Sequence, residues 1–147
     1  MPTLDILDVS ATIGCNLSCK GCNHFSNYFS PRSELDTDAL IRDLEIILPR
    51  IDIGRVSVIG GEPLLNSRCE EIVNACRSHT NSPVYLYTNA LLLLENESWI
   101  KDVLEDPKVY LRVSVHLPHV VDIIKKFNHP KVLVTEHHNG QDRWFDS

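Results

Sequence analysis

Leu4-Asp5-Ile6-Leu7-Asp8-Val9-Ser10-Ala11-Thr12-Ile13-Gly14-Cys15-Asn16-Leu17-Ser18-Cys19-Lys20-Gly21-Cys22 is the stretch that decides the fold. Ile6, Leu7, Val9 and Ile13 make an aliphatic run that reads as a strand over Leu4 to Thr12. The run leads directly into three cysteines spaced C-x3-C-x2-C. A similar junction recurs downstream. Arg55 to Ile59, opened by Gly54, is a second strand-like run, and it ends on Gly60-Gly61-Glu62-Pro63.

Working outward, strand-like and helix-like segments alternate. Asp36 is placed to cap a helix, with Leu35 and Leu40 at the staple positions on either side. Leu40, Leu44, Ile47, Leu48 and Ile51 fall on one face of that helix. A second helix is expected from Ser67 to Ser78, a third strand over Val84 to Tyr87, and a short helix over Glu97 to Leu104 that stops before Pro107. A fourth strand runs from Val109 to Val115. Pro118 suits the first turn of a fourth helix carrying Val120, Val121, Ile124 and Phe127, and Val132 to Thr135 reads as a fifth strand.

The result is (βα)4β, an α/β chain with a parallel sheet and right-handed crossovers. Interior strands of such a sheet are expected to be apolar on both faces. No repeat, low-complexity tract or linker interrupts the pattern, so the whole chain, 1–147, reads as one domain. Cys15, Gly60, Asn89, Ser114 and Glu136 all fall at or just past a strand's C-terminal end, the edge that carries active sites in parallel α/β folds.

Three thiolates at Cys15, Cys19 and Cys22 can hold three irons of a four-iron cluster. The fourth iron then stays open to a ligand, which marks a site of chemistry. A zinc site completed by His24 is the competing reading of these cysteines. Two glycines at 60 and 61 permit close backbone approach to a ligand, and Glu62 offers an acceptor. Cys69 and Cys76 are seven residues apart with Ile72 and Val73 between them, so they read as a core stripe. His137 and His138 are adjacent and would point to opposite faces of a strand, which argues against a shared metal.

On the cysteine run and the Gly60-Gly61-Glu62-Pro63 segment, the chain resembles the radical S-adenosylmethionine (radical SAM) superfamily. The resemblance implies a partial parallel (β/α) barrel and a [4Fe–4S] cluster on Cys15, Cys19 and Cys22. It implies S-adenosyl-L-methionine (SAM) held through its amino group by Gly60, Gly61 and Glu62, and through ribose and carboxylate by polar residues such as Asn89, Ser114, His116 and Glu136. For each of these last four, a loop residue that caps a helix or faces water is the competing reading.

Family chemistry is reductive cleavage of SAM to methionine and a 5′-deoxyadenosyl radical that abstracts a substrate hydrogen. A one-electron donor such as flavodoxin or ferredoxin is the implied partner. The family often has an aromatic residue before the third cysteine; here it is Gly21, with Phe25, Tyr28 and Phe29 nearby to compensate. The family fold usually continues to about six βα units. The chain is therefore expected to be a minimal or truncated member, whose open barrel a partner subunit would close, with Trp144 and Phe145 candidates for that contact. Peptide or cofactor maturation is the first reading of its role. A glycyl-radical-enzyme activase is the second, and a non-catalytic iron–sulfur or zinc-binding module the third.

Bulk properties are compatible with all three. Hydrophobic residues make up 43%, enough for a core, and a net charge of −6 argues against non-specific nucleic-acid binding while allowing a basic local pocket. No apolar run reaches the roughly 18 residues of a membrane span, and no basic region precedes the first strand, so a cytoplasmic setting is expected. Five cysteines, three of them clustered, suggest metal ligation rather than a disulfide framework.

Overall fold

The computed structural model describes residues 3–11 and 36–136. Among them, five strands form one parallel sheet in the order β1-β2-β3-β4-β5. The strands are β1 (Thr3–Ser10), β2 (Asp52–Ile59), β3 (Val84–Thr88), β4 (Val109–Val115) and β5 (Val132–Glu136). The helices are α1 (Thr37–Ile47), α2 (Cys69–His79), α3 (Glu97–Leu104) and α4 (Val120–Phe127). Sequential strand order with right-handed crossovers places the helices on one side of the sheet, as in a partial (βα) barrel.

Local chemistry explains the helix ends. Asp36 caps α1 as expected: its Oδ1 accepts from the Ala39 backbone N–H at 3.1 Å. Pro49 follows α1 in a single 3-10 turn, Leu48–Arg50. At the end of α4, Asn128 takes a left-handed conformation with φ 48°, and its N–H returns to the Ile124 carbonyl. Pro118 lies in the turn before α4, its carbonyl accepting from the Val121 N–H.

The core lies between sheet and helices. Val56, Val58, Val84, Leu86, Val109 and Leu111 meet Ile72, Val73, Ile100 and Val103, all fully or almost fully buried. Leu44 in α1 and Leu48 just after it are buried as the periodicity predicts, while Ile47 remains 43% exposed.

Two expectations are corrected. Gly54 does not open β2 but lies inside it, because the strand begins at Asp52. A Cβ at Gly54 would stand 2.5 Å from the Asp5 carbonyl oxygen, so only glycine lets β1 and β2 approach this closely. The interior strands are also not apolar on both faces. Pairing aligns Asp8, Ser57, Tyr85 and Tyr110 across the sheet on the side away from the helices. Arg112 and Ser114 follow on the same side by alternation. Apolar periodicity in the sequence reports burial against helices, and among the described residues no helix covers this concave side.

Candidate active site

The C-terminal ends of β2 and β3 are held together by one carboxylate. Glu62 is only 1% exposed. Its Oε2 accepts from the Leu64 backbone N–H at 3.0 Å and from the Thr88 hydroxyl at 2.8 Å. Its Oε1 accepts from the Asn89 backbone N–H at 2.7 Å. Glu62 therefore caps the 3-10 turn Pro63–Leu65 and pins the loop after β3 to the loop after β2. Both attached loops have demanding backbones. Gly60 has φ 135°, a conformation open to glycine alone in practice. Ala90 has φ 69° and is fully buried, supported by the Thr88 hydroxyl, which accepts its N–H at 3.0 Å.

Asn66 was not singled out by the sequence, yet it organises the neighbouring junction. Its Nδ2 donates to the Ala11 carbonyl at 2.7 Å and to the Thr37 hydroxyl at 3.0 Å. Its Oδ1 accepts from the Arg68 N–H at 2.8 Å. Ala11 ends the first described segment and Thr37 opens α1, so one buried amide clasps both ends of the segment that carries the cysteines. The Ala11 N–H bonds the Ile59 carbonyl at 2.8 Å, which sets that departure point beside Gly60. The only sequence signal was an asparagine shortly after Gly60-Gly61-Glu62-Pro63.

The other predicted residues fall as follows. Asn89 is buried, and its Oδ1 accepts from the Leu91 N–H at 3.1 Å. Ser114 is half-buried on the concave side, paired with Thr135. His116 is half-buried just past β4, and Glu136 pairs with Val115 at the end of β5. Gly60, Glu62, Asn89 and Ser114 thus share the strand-end edge, with Glu62 joining the first two strand ends. Cys15, Cys19, Cys22, Gly21, His24, Phe25, Tyr28 and Phe29 lie outside the described residues, as do His137, His138, Trp144 and Phe145.

Cys69 and Cys76 are core residues, at most 2% exposed. Burial pushes the Cys76 thiol up to about 12, and burial followed by the nearby Glu62 charge raises Cys69 further still. Neither is poised to become a thiolate ligand. Among the described residues, no group of three His, Cys, Asp or Glu is placed to hold a metal, and no helix is long and apolar enough to cross a membrane.

A family model described as the radical SAM superfamily matches residues 9–136. The chain belongs to the radical SAM superfamily. Its relatives include a GTP 3′,8-cyclase of Aquifex aeolicus, 30% identical over 116 residues that cover 77% of this chain and 35% of the relative. Another is a GTP 3′,8-cyclase of Mycolicibacterium smegmatis, 34% identical, covering 86% of this chain and 36% of the relative. The chain thus spans about a third of the length of these curated relatives. Among solved structures, BtrN in complex with AdoMet and 2-DOIA superposes with a TM-score of 0.70 at 21% identity, covering 91% of this chain and 57% of that one. The structure of hexahistidine-tagged anSMEcpe with bound AdoMet gives 0.63 at 23% identity, covering 92% of this chain and 43% of that one. These superpositions show the radical SAM fold: the strand-end edge described above is the corresponding edge of a partial (βα) barrel.

Proposed function

We propose that this chain is a catalytic radical SAM core, with SAM bound along the strand-end edge at Gly60, Gly61, Glu62, Asn89 and Ser114. His116 and Glu136 extend that edge. The observation that carries this reading is the Glu62 clamp. One buried carboxylate fixes the ends of two strands beside the clasped ends of the cysteine segment. A buried carboxylate at this edge sets a negative charge where a ligand ammonium would be attracted. The positive φ of Gly60 keeps the backbone bare on the approach to that carboxylate.

The donor chemistry suits the family's metal group. Cys15, Cys19 and Cys22 supply three thiols from a single segment whose two ends Asn66 holds together. A [4Fe–4S] cluster on them, when bound, supplies the electron for reductive SAM cleavage, drawn from a flavodoxin or ferredoxin type of donor. The chain's own part is to hold the methionine end of SAM at Gly61 and Glu62, to align the nucleoside along Asn89 and Ser114, and to place the reacting carbon over the concave face.

Iron analysis and product assay together test the reading. Anaerobically reconstituted protein should be brown with about four irons. It should lose most of that iron in Cys15→Ala, Cys19→Ala or Cys22→Ala, and keep it in Cys76→Ala. Under strong reduction it should form 5′-deoxyadenosine and methionine without added substrate. A colourless protein with one zinc would overturn the cluster assignment. A fully loaded, SAM-binding protein that forms no 5′-deoxyadenosine would overturn the enzymatic one.

A further inference from the structure

We propose that the concave face of the sheet binds an oxyanion of the substrate, a phosphate or carboxylate, through Arg112 seated on Tyr87. This deepens the proposed function and rests on it, because the face lies directly below the strand-end edge.

The half-buried cationic side chains of the described residues divide by partner. Arg68 bridges Asp38 and Glu71, Arg77 pairs with Asp106, and Lys101 pairs with Glu97. Lys131 donates to the Leu104 and Asp106 carbonyls at 2.8 and 2.6 Å while lying over the Tyr110 ring. Those groups are already occupied in holding the fold. Arg55 and Arg112 differ. Both are half-buried on the concave side, and among the described residues neither meets a carboxylate or carbonyl. Each instead lies against a tyrosine of β3: the Arg112 guanidinium is 5.6 Å from the Tyr87 ring centre, and that of Arg55 is 5.3 Å from the Tyr85 ring centre.

A guanidinium stacked on a ring keeps its N–H edge free for a planar, two-pronged acceptor. Below Arg112 the face is also short of acceptors. The Arg55 Nε and the Ser57 hydroxyl are buried with no hydrogen-bond partner, and Ser57 is only 2% exposed. Such groups cost stability when left unsatisfied. A ligand oxygen reaching this level would satisfy them. The Tyr85 and Tyr110 rings stack at 5.1 Å between Arg55 and Lys131, and this array closes the face further down.

Two arginines therefore face inward in a chain whose net charge is −6. Asp8, exposed on β1, is the acidic residue of the same described rows. Arg112 lies one pleat, about 6.6 Å, below Ser114. A substrate would thus enter with its anionic group toward the sheet floor and its reacting carbon toward the strand ends. Its class is a small molecule with at least one phosphate or carboxylate.

The test titrates the full, cluster-loaded chain with SAM present, using pyrophosphate in one arm and succinate in the other, read by calorimetry. One of the two anions should bind, which identifies the source of the oxyanion. Arg112→Gln should weaken that binding at least about tenfold, since it removes a charge-assisted pair. Arg112→Lys should weaken it about threefold, keeping the charge and losing the fork. SAM affinity should stay within about twofold in both variants, because the subsite is below the SAM edge. Absence of binding by either anion, or equal binding in Arg112→Gln, overturns the proposal. Equal losses of anion and SAM affinity would assign Arg112 to the SAM carboxylate and overturn it as well. Anion binding that depends on Arg112 in a protein that never cleaves SAM would instead overturn the catalytic reading and leave the subsite standing.

Discussion

The two faces of the sheet obey different rules within the same strands. On the helix side, Val84, Leu86, Val109 and Leu111 are sealed among apolar neighbours. The buried polar groups above them are partnered: Glu62 accepts from Leu64, Thr88 and Asn89, and the Asn66 side chain bonds Ala11, Thr37 and Arg68. On the concave side, among the described residues, Arg55 and Ser57 hold buried polar atoms with no partner and Arg112 is seated on a ring. Burial of apolar area dominates folding free energy, so the helix side carries the stability. The concave side sacrifices some stability and keeps donors available, as binding surfaces do. Substitutions on the two faces should therefore separate.

The largest effect is expected on the helix side. Ile72→Ala removes a fully buried side chain from the centre of the core. It should cost about 2–5 kcal/mol, seen as a lower urea midpoint with unchanged slope. Glu62→Gln comes next and belongs to both regions. It keeps the shape but replaces charged acceptors of the Asn89, Leu64 and Thr88 bonds with an amide that offers a single acceptor oxygen. A loss of about 2–3 kcal/mol is expected. SAM binding should fall far more than the stability loss explains. Unaltered SAM affinity in the folded variant would confine Glu62 to structure.

Asn66→Ala sharpens the comparison at the junction. It leaves the Ala11 carbonyl and the Thr37 hydroxyl without their shared donor, at a cost of about 1–3 kcal/mol. If the clasp presents the cysteine segment, iron retention after gel filtration should drop in Asn66→Ala and drop at least as far in Asn66→Asp, whose carboxylate cannot donate to the Ala11 carbonyl. A purely structural role would lower the melting temperature and leave iron retention unchanged.

Much of this architecture was legible in the sequence, and the failures have physical causes. Strand positions followed from aliphatic runs because helices cover one face of every strand. Asp36 was legible because a cap is a local arrangement, spanning three residues. Gly54 was misread because glycine marks both strand starts and close backbone approach, and only the position of Asp5 decides between them. The concave rows were misread because their tyrosines and arginines interrupt apolar alternation without announcing which face they occupy. The strand-end placement of Gly60, Glu62, Asn89 and Ser114 followed from topology. The bonds of Glu62 to Asn89 and of Asn66 to Ala11 did not, since they join residues 27 and 55 positions apart.

A smaller effect concerns acid. The Lys108 backbone N–H, followed by Arg77, holds the Asp106 carboxyl below its ordinary value. The folded form thus favours the carboxylate more than the unfolded chain does. That contribution is fully present above the unfolded value near 4 and disappears as pH falls through the lower folded value. Asp106→Asn should cost no more than about 1 kcal/mol at pH 7, because the pair is partly exposed. The difference from the unaltered protein should shrink below pH 4, read from urea midpoints across pH.

The smallest change tests the comparison most sharply, because its sign is the point. Ser57 is as buried as its neighbours Val56 and Val58, but its hydroxyl has no partner. A buried hydroxyl in that state is a net cost, and removing it creates a void of only one oxygen atom. Ser57→Ala should therefore leave stability unchanged or raise it by up to about 1 kcal/mol, whereas a serine in a satisfied network would lose about that much. The same variant should weaken binding of the oxyanion held by Arg112 by a few-fold. A melting temperature that falls by several degrees would show that Ser57 serves the fold, and the division between a sealed helix side and a concave face with free donors would fail at its central strand.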